Sequence, residues 1–292
     1  MSRRAKPSRR ALLRRWLLSG GILGSGTAAL AVYGRHEAHQ PVVENVTITL
    51  PTLPLAFDGL RAVVLGDLHV CPSFPASNLA PALALAKAAQ PELVLLVGDY
   101  VCDREGDYGA DMASCISALE PLARSARLGA FASFGNHDFP MPPLDPPHAL
   151  WASAGIVPLL DSAAQLQSEK ALLWLVGLRS AISRPTNPQT VLGTLTNKGT
   201  APRLLLWHEP DRASLAAEAE ASLMLSGHTH GGQLVVPGVG PLRLPREGRR
   251  YPAGLVYVEG MPLYTTRGVG VLPPRMRINC PPEVTVLTLK RG

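Results

Sequence analysis

Five short apolar runs in this chain each end on a residue that can bind a metal, and this repetition constrains the fold most. Ala62-Val63-Val64-Leu65 runs into Gly66-Asp67-Leu68-His69, and Leu93-Val94-Leu95-Leu96-Val97 into Gly98-Asp99-Tyr100. Phe131-Ala132-Ser133-Phe134 runs into Gly135-Asn136-His137-Asp138, and Leu204-Leu205-Leu206-Trp207 into His208-Glu209-Pro210-Asp211. Leu223-Met224-Leu225 runs into Gly227-His228-Thr229-His230-Gly231-Gly232. Runs of this length separated by helical stretches read as buried strands. In open α/β sheets the ligand site lies beyond the carboxyl ends of the strands. The five ends would therefore gather Asp67, His69, Asp99, Asn136, His208, His228 and His230 in one place. Residues two apart at a strand end share a face, so His228 and His230 would point the same way. The flanking glycines let the backbone bend and approach closely.

The ordered series Asp-x-His, Gly-Asp, Gly-Asn-His-Asp, a lone His after a strand and Gly-His-x-His resembles the calcineurin-like metallophosphoesterases over roughly residues 58–290. Arg267-Gly268-Val269-Gly270, Pro274-Arg275 and Pro281-Pro282-Glu283-Val284 narrow the resemblance to the exported or membrane-anchored phosphodiesterase-like branch. Some members of that branch are linked to hydrolysis of UDP-2,3-diacylglucosamine. The resemblance implies an α/β fold, a four-layer αββα sandwich of two mixed sheets flanked by helices. It also implies two divalent metal ions. Asp67, His69, Asp99 and His230 would hold one, and Asp99, Asn136, His208 and His228 the other, with Asp99 shared. Mixed imidazole and carboxylate donors suit manganese, iron or zinc. Two cations about 3.5–4 Å apart lower the pKa of water and absorb charge on a phosphoryl group. One departure is visible: the branch often has His-Asn-Pro-Asp where this chain has His208-Glu209-Pro210-Asp211.

His137 follows Asn136 directly and is the candidate general acid, a role worth ~10²–10⁴ in rate. Asp138 would either fix the His137 tautomer or cap the following loop. Arg243, Arg246, Arg249 and Arg250, and further on Arg275 and Arg277, would either clamp phosphate or form a solvated surface. Two functional classes follow. One is a dinuclear-metal phosphoesterase acting on a phosphate-ester substrate. The other is a non-catalytic metal-binding scaffold on the same fold, which would be expected to have lost donors; here every position is filled.

The net charge of +6 suggests a nucleic-acid partner, but its distribution argues against one. Residues 1–35 hold eight basic and no acidic residues, which leaves 20 basic against 22 acidic in residues 36–292. The basicity belongs to a leader. Ser8-Arg9-Arg10-Ala11-Leu12-Leu13-Arg14 resembles a twin-arginine export motif, and an uncharged stretch runs from Trp16 to Gly34. Residues 1–35 are thus either a twin-arginine signal, with Ala29-Leu30-Ala31 a small-x-small cleavage site, or a retained membrane anchor. Both readings make the translocation machinery a partner and place residues 36–292, the catalytic domain, outside the cytoplasm. Of the four cysteines, Cys71 and Cys102 would sit beyond adjacent strand ends, as free buried thiols or, in an oxidising compartment, as a disulfide. No C-x-x-C pair exists, so a zinc ribbon is excluded.

Val42 to Leu50 reads as a strand at a sheet edge. Ser77 to Gln90 reads as a helix capped by Ser77, and Ala110 to Arg124 as another. Met141 to Pro147 reads as a proline-rich loop. The second half offers strands over 171–178, 203–207, 222–225, 255–259, 263–267 and 283–289.

Overall fold

The computed structural model describes residues 28–102, 105–139, 145–168, 171–195 and 201–292. The twin-arginine motif and most of the Met141–Pro147 loop lie outside them. A helix, α1, covers residues 28–37. Then come β1 (Val42–Leu50), β2 (Arg61–Leu65), α2 (Ala80–Ala88), β3 (Leu93–Val97), α3 (Tyr108–Ala123), β4 (Ala130–Ser133), α4 (His148–Ser153) and β5 (Ile156–Pro158). The second half holds β6 (Ser162–Ser168), β7 (Ala171–Gly177), α5 (Gln189–Leu192), β8 (Arg203–Leu206), α6 (Ala213–Glu218) and β9 (Leu223–Ser226). It ends with β10 (Val235–Val236), β11 (Gly240–Pro241), β12 (Gly254–Val258), β13 (Met261–Thr265) and β14 (Glu283–Arg291).

Two six-stranded mixed sheets form, in the orders β1-β14-β2-β3-β4-β5 and β12-β13-β9-β8-β7-β6. The apolar runs are continuous because both faces of their strands are covered. In β2, Ala62 and Val64 face the core between the sheets, while Val63 and Leu65 face the helices α2, α3 and α4. In β8, Leu204 and Leu206 face that inter-sheet core, and Leu205, with Trp207 just past the strand, faces the side covered by α5 and α6. The layers are helix, sheet, sheet, helix, as the resemblance implied. Strands β2 to β5 are mutually parallel, as are β7, β8, β9 and β13, so the ligand-bearing carboxyl ends share one edge of the sandwich.

The edge position of β1 agrees with the sequence; its neighbour is the C-terminal β14, parallel to it. Two helix starts differ from the sequence reading. Residues 76–79 form a 3₁₀ turn and α2 begins at Ala80, with no side-chain cap, so Ser77 is not its N-cap. Pro81 sets that start, because proline fits the first turn where an N–H has no partner anyway. Helix α3 begins two residues earlier than expected because Asp107 caps it, accepting from Ala110 N at 2.8 Å. No helix among the described residues is long and apolar enough to cross a membrane. The end of α1 is tied to the body: Gly34 O accepts from Arg277 N at 2.8 Å, and the buried Glu37 accepts from Cys280 N at 2.7 Å.

Candidate metal centre

Each strand end breaks into a tight turn before presenting its donor. Asp67, His69, Asp99, His228 and His230 all adopt positive φ, between 49° and 73°. Asp and His tolerate this region better than most residues, yet each instance costs of order 1 kcal/mol or more and persists only where neighbours hold it. The left-handed kink turns the side chain off the strand's own pleat and into the cleft. Close packing enforces it. A Cβ on Gly135 would stand 2.2 Å from Asp99 Oδ1, and one on Gly268 (φ +70°) 2.5 Å from Asp67 Cβ. Gly135→Ala is therefore expected to displace Asp99 and weaken metal binding by about 10–100-fold, the usual cost of disturbing an outer-shell partner. Metal titration by calorimetry reads this directly; unchanged affinity would show that the contact is slack.

The donors form two groups that meet at Asp99. Asp67, His69 and His230 bring ligand atoms within 4.8 Å of one another, and so do Asp99, His208 and His228. Asp99 Oδ2 stands 3.0 Å from His208 Nε2 and 3.6 Å from His69 Nε2, between the two groups. Asn136 opens the 3₁₀ turn Asn136–Asp138, and its Oδ1 is buried with no hydrogen-bond partner among the described residues. His137 is half-buried, with its ring edge-on to His69 at 5.0 Å between centroids. It forms a third close group with His69 and Asp99, nearer to the donors than the sequence suggested.

This donor set fits cations. His69 Nε2 and His230 Nε2 face each other at 3.0 Å, fully enclosed. Nitrogens bound to one metal at ~2.0–2.1 Å stand roughly 3.0–3.4 Å apart, so the spacing is that of two ligands on one ion. The remaining ring nitrogens are oriented by backbone: His208 Nδ1 lies 2.7 Å from Val97 O, and His228 Nε2 2.6 Å from Arg246 O. Donation to those carbonyls would leave His208 Nε2 and His228 Nδ1 free for a metal when one is bound. Without it, burial disfavours the His208 imidazolium, but Asp99 beside it outweighs that and holds the ring well above the ordinary histidine range. Burial pushes the Asp67 carboxyl up to about 7, with His208 opposing and Asp99 reinforcing. Burial also acts against ionised Asp99, but the charges of His208 and His137 outweigh it and hold its carboxyl well below the usual range. Burial and the neighbouring His69 hold His230 well below the ordinary histidine range. Carboxylates and imidazoles packed this closely are stable when a cation compensates them.

The structure assigns several side chains that the sequence left open. Asp138 acts on the site through the backbone around it. Its fully buried carboxylate accepts from Asp99 N (2.7 Å), Tyr100 N (2.7 Å) and Gly135 N (2.8 Å), so it fixes the backbone that carries Asp99 and Asn136. Arg277 is no surface clamp. It is wholly buried and donates to the carbonyls of Arg267, Gly268, Gly270, Cys280 and His230, tying the segment over Asp67 to the second histidine. Arg275 pairs with Glu105. Glu209, the departure from the branch's pattern, is buried and accepts from Ser180 Oγ and from Ala181 N at 2.8 Å, while Ser183 Oγ donates to Asn136 O at 3.1 Å. Glu209 thus anchors a loop that reaches the third strand end. Cys71 and Cys102 are free thiols with their Sγ atoms 3.1 Å apart, both against His69 O.

A profile of the family described as calcineurin-like phosphoesterase matches residues 60–232, which carry all seven donors. The chain belongs to that family. It is 38% identical over 232 residues to phosphodiesterase YaeI of Escherichia coli, covering 78% of this chain and 82% of the relative. It is 29% identical over 298 residues to the uncharacterized metallophosphoesterase YkuE of Bacillus subtilis, covering 98% of both. A transmembrane protein with metallophosphoesterase domain from Danio rerio is 32% identical over 281 residues, covering 91% of this chain and 61% of that one. The chain is thus a hydrolase acting on phosphate esters, of a dinuclear-metal-dependent family. Its residues 233–292 lie beyond the family profile and still supply the Gly268 and Arg277 contacts that hold the centre.

Proposed function

We propose that this phosphoesterase is an exported phosphodiesterase that uses two divalent metals on a phosphate ester of the cell envelope. The observation that carries the reading is Asp99 Oδ2 between His69 and His208, where one carboxylate serves both donor groups. Asp67, His69, Asp99 and His230 would hold one metal, and Asp99, Asn136, His208 and His228 the other; manganese, iron and zinc all suit this set. When bound, such a pair supplies a nucleophilic water near neutral pH and neutralises phosphoryl charge. His137, half-buried beside the pair, delivers a proton to the leaving oxygen. Its backbone N donates to Asp99 Oδ1 at 2.9 Å, so its position depends on the shared ligand. Asp138 positions both and takes no proton from substrate. The filled donor set speaks against a non-catalytic scaffold, and the diesterase name of the Escherichia coli relative supports a diester. A lipid-linked substrate of the UDP-2,3-diacylglucosamine kind matches the branch. The leader favours a lipid phosphodiester without the nucleotide, which is a cytosolic group. Turnover of a panel of phosphate mono- and diesters by the metal-loaded protein tests the reading. Hydrolysis of monoesters alone, or of nothing, would overturn it.

The export part rests on residues 1–35. Arg9→Lys combined with Arg10→Lys is expected to leave the protein in the cytoplasm, because the paired arginines are read as an address. Fractionation of cells checks this, with Arg3-Arg4 and Arg14-Arg15 changed in separate controls. Normal delivery of the Arg9/Arg10 variant would exclude the twin-arginine route.

A further inference from the structure

Directly after the His230–Gly232 turn the chain forms a small hairpin, β10 paired with β11, that serves no part of the metal centre. It carries large apolar side chains in water: Val239 at its tip is 78% exposed, and Leu242 just past β11 is 63% exposed. The hairpin is built to project. Gly238 and Gly240 take positive φ and a Cβ on either would meet nothing within 4 Å. Its base is fixed, with Leu242 N donating to Leu234 O at 2.9 Å and Val235 N to Ile278 O at 2.9 Å. The strand segment around Ile278 also receives α1, since Arg277 N donates to Gly34 O. On α1, Leu30 (51%) and Val32 (67%) are exposed as well. Two apolar projections therefore flank one segment, and the uncharged stretch Trp16–Gly34 enters the body there.

Charge singles out the same region. Residues 235–250 contain four arginines and one glutamate, in a body where acidic residues outnumber basic ones. Arg243, Arg246, Arg249 and Arg250 are all exposed. Their backbone is rigidly placed: Asp211 accepts from Arg249 N and Arg250 N at 3.0 Å each, and Arg246 O accepts from the metal-site residue His228. Apolar tips followed by a ring of arginines match the interface of an anionic bilayer, where acyl chains take the tips and headgroup phosphates the guanidiniums.

From this juxtaposition we infer that the β10–β11 hairpin and the arginine segment behind it dock the body onto an anionic membrane surface, beside the metal centre. The docking extends the envelope reading, because it brings lipid phosphate esters to the His228 side of the cleft. It acts through the folded body and is distinct from any anchoring by residues 1–27.

The test uses the full-length protein and a nitrobenzoxadiazole label at Val239→Cys. All four native cysteines are buried, so the new thiol is the reactive one. Leu55→Cys is the control: Leu55 is 72% exposed and precedes β2, at the opposite end of that strand from Asp67. Vesicles of phosphatidylethanolamine and phosphatidylglycerol with brominated acyl chains are expected to quench the label at 239 several-fold and leave the label at 55 unchanged. Brominated phosphatidylcholine vesicles are expected to quench 239 less. Flotation of the protein with vesicles while 239 stays bright would assign binding to the leader alone and overturn the inference. Equal quenching at both positions would overturn it too. A shift at 239 without vesicles that grows with protein concentration would assign the patch to a second copy of the chain. No turnover enters these measurements, so their failure leaves the phosphodiesterase reading standing.

Discussion

Asp99→Asn is expected to lose both metals and to lower turnover by roughly 10³-fold or more, the scale of losing a major charge-stabilising group. The substitution keeps the shape of the side chain, and its amide oxygen can still accept from His137 N as Asp99 Oδ1 does. What it removes is the charge that faces both His69 and His208. Elemental analysis of the saturated variant is the measurement. About two equivalents in the wild-type protein and near none in the variant would establish the shared ligand. Two full equivalents in Asp99→Asn would show that the two donor groups load independently and that Asp99 bridges nothing. His228→Ala is the comparison. It should lose the metal of the Asp99–His208–His228 group and slow all substrates alike.

His137→Ala is expected to separate proton delivery from metal binding. Turnover of alkyl diesters should fall by roughly 10²–10⁴, because an alkoxide leaves poorly without a proton. On a nitrophenyl diester the loss should be much smaller, since that leaving group departs as a stable anion. The close grouping of His137 with His69 and Asp99 makes metal content the decisive control. Retention of both metals with a leaving-group-dependent loss identifies the acid. Loss of a metal, or an equal slowing of both ester types, would make His137 a ligand or a structural residue.

The strands that carry the donors were legible because their burial on both faces leaves uninterrupted apolar runs, as in Leu93–Val97. The four layers came from the family resemblance; periodicity alone could not distinguish one sheet from two. Short polar strands such as β6, Ser-Ala-Ala-Gln-Leu-Gln-Ser, escaped notice because an edge strand needs only one apolar face. The gathering of donors was readable from spacing, but their left-handed backbone was not, since Asp and His carry no mark of φ. The roles of Asp138 and Arg277 were illegible for another reason. Both work on backbone N–H and C=O groups, which every residue has, so no sequence pattern announces the partner. Glu209 was visible as a departure, and the glutamate's extra reach is what lets it grip Ser180 and Ala181.

The placement of β14 between β1 and β2 has a bearing on how the molecule is made. Val42 pairs with Glu283, so the first strand of the body finds its neighbour only in a segment far downstream in the sequence. The segment just before β14 closes over the first donor, with Gly270 N donating to Asp67 O at 2.7 Å and Val269 N to Gly66 O at 3.1 Å. Contacts so distant in sequence form late, because the loop they close costs entropy before it returns any burial. A chain still attached to the ribosome can assemble β2, β3 and β4 side by side, but it exposes the flank of β2 and leaves Asp67 uncovered. Competence to hold metal thus waits on the segment that leads into β14, long after the first donors have been synthesised.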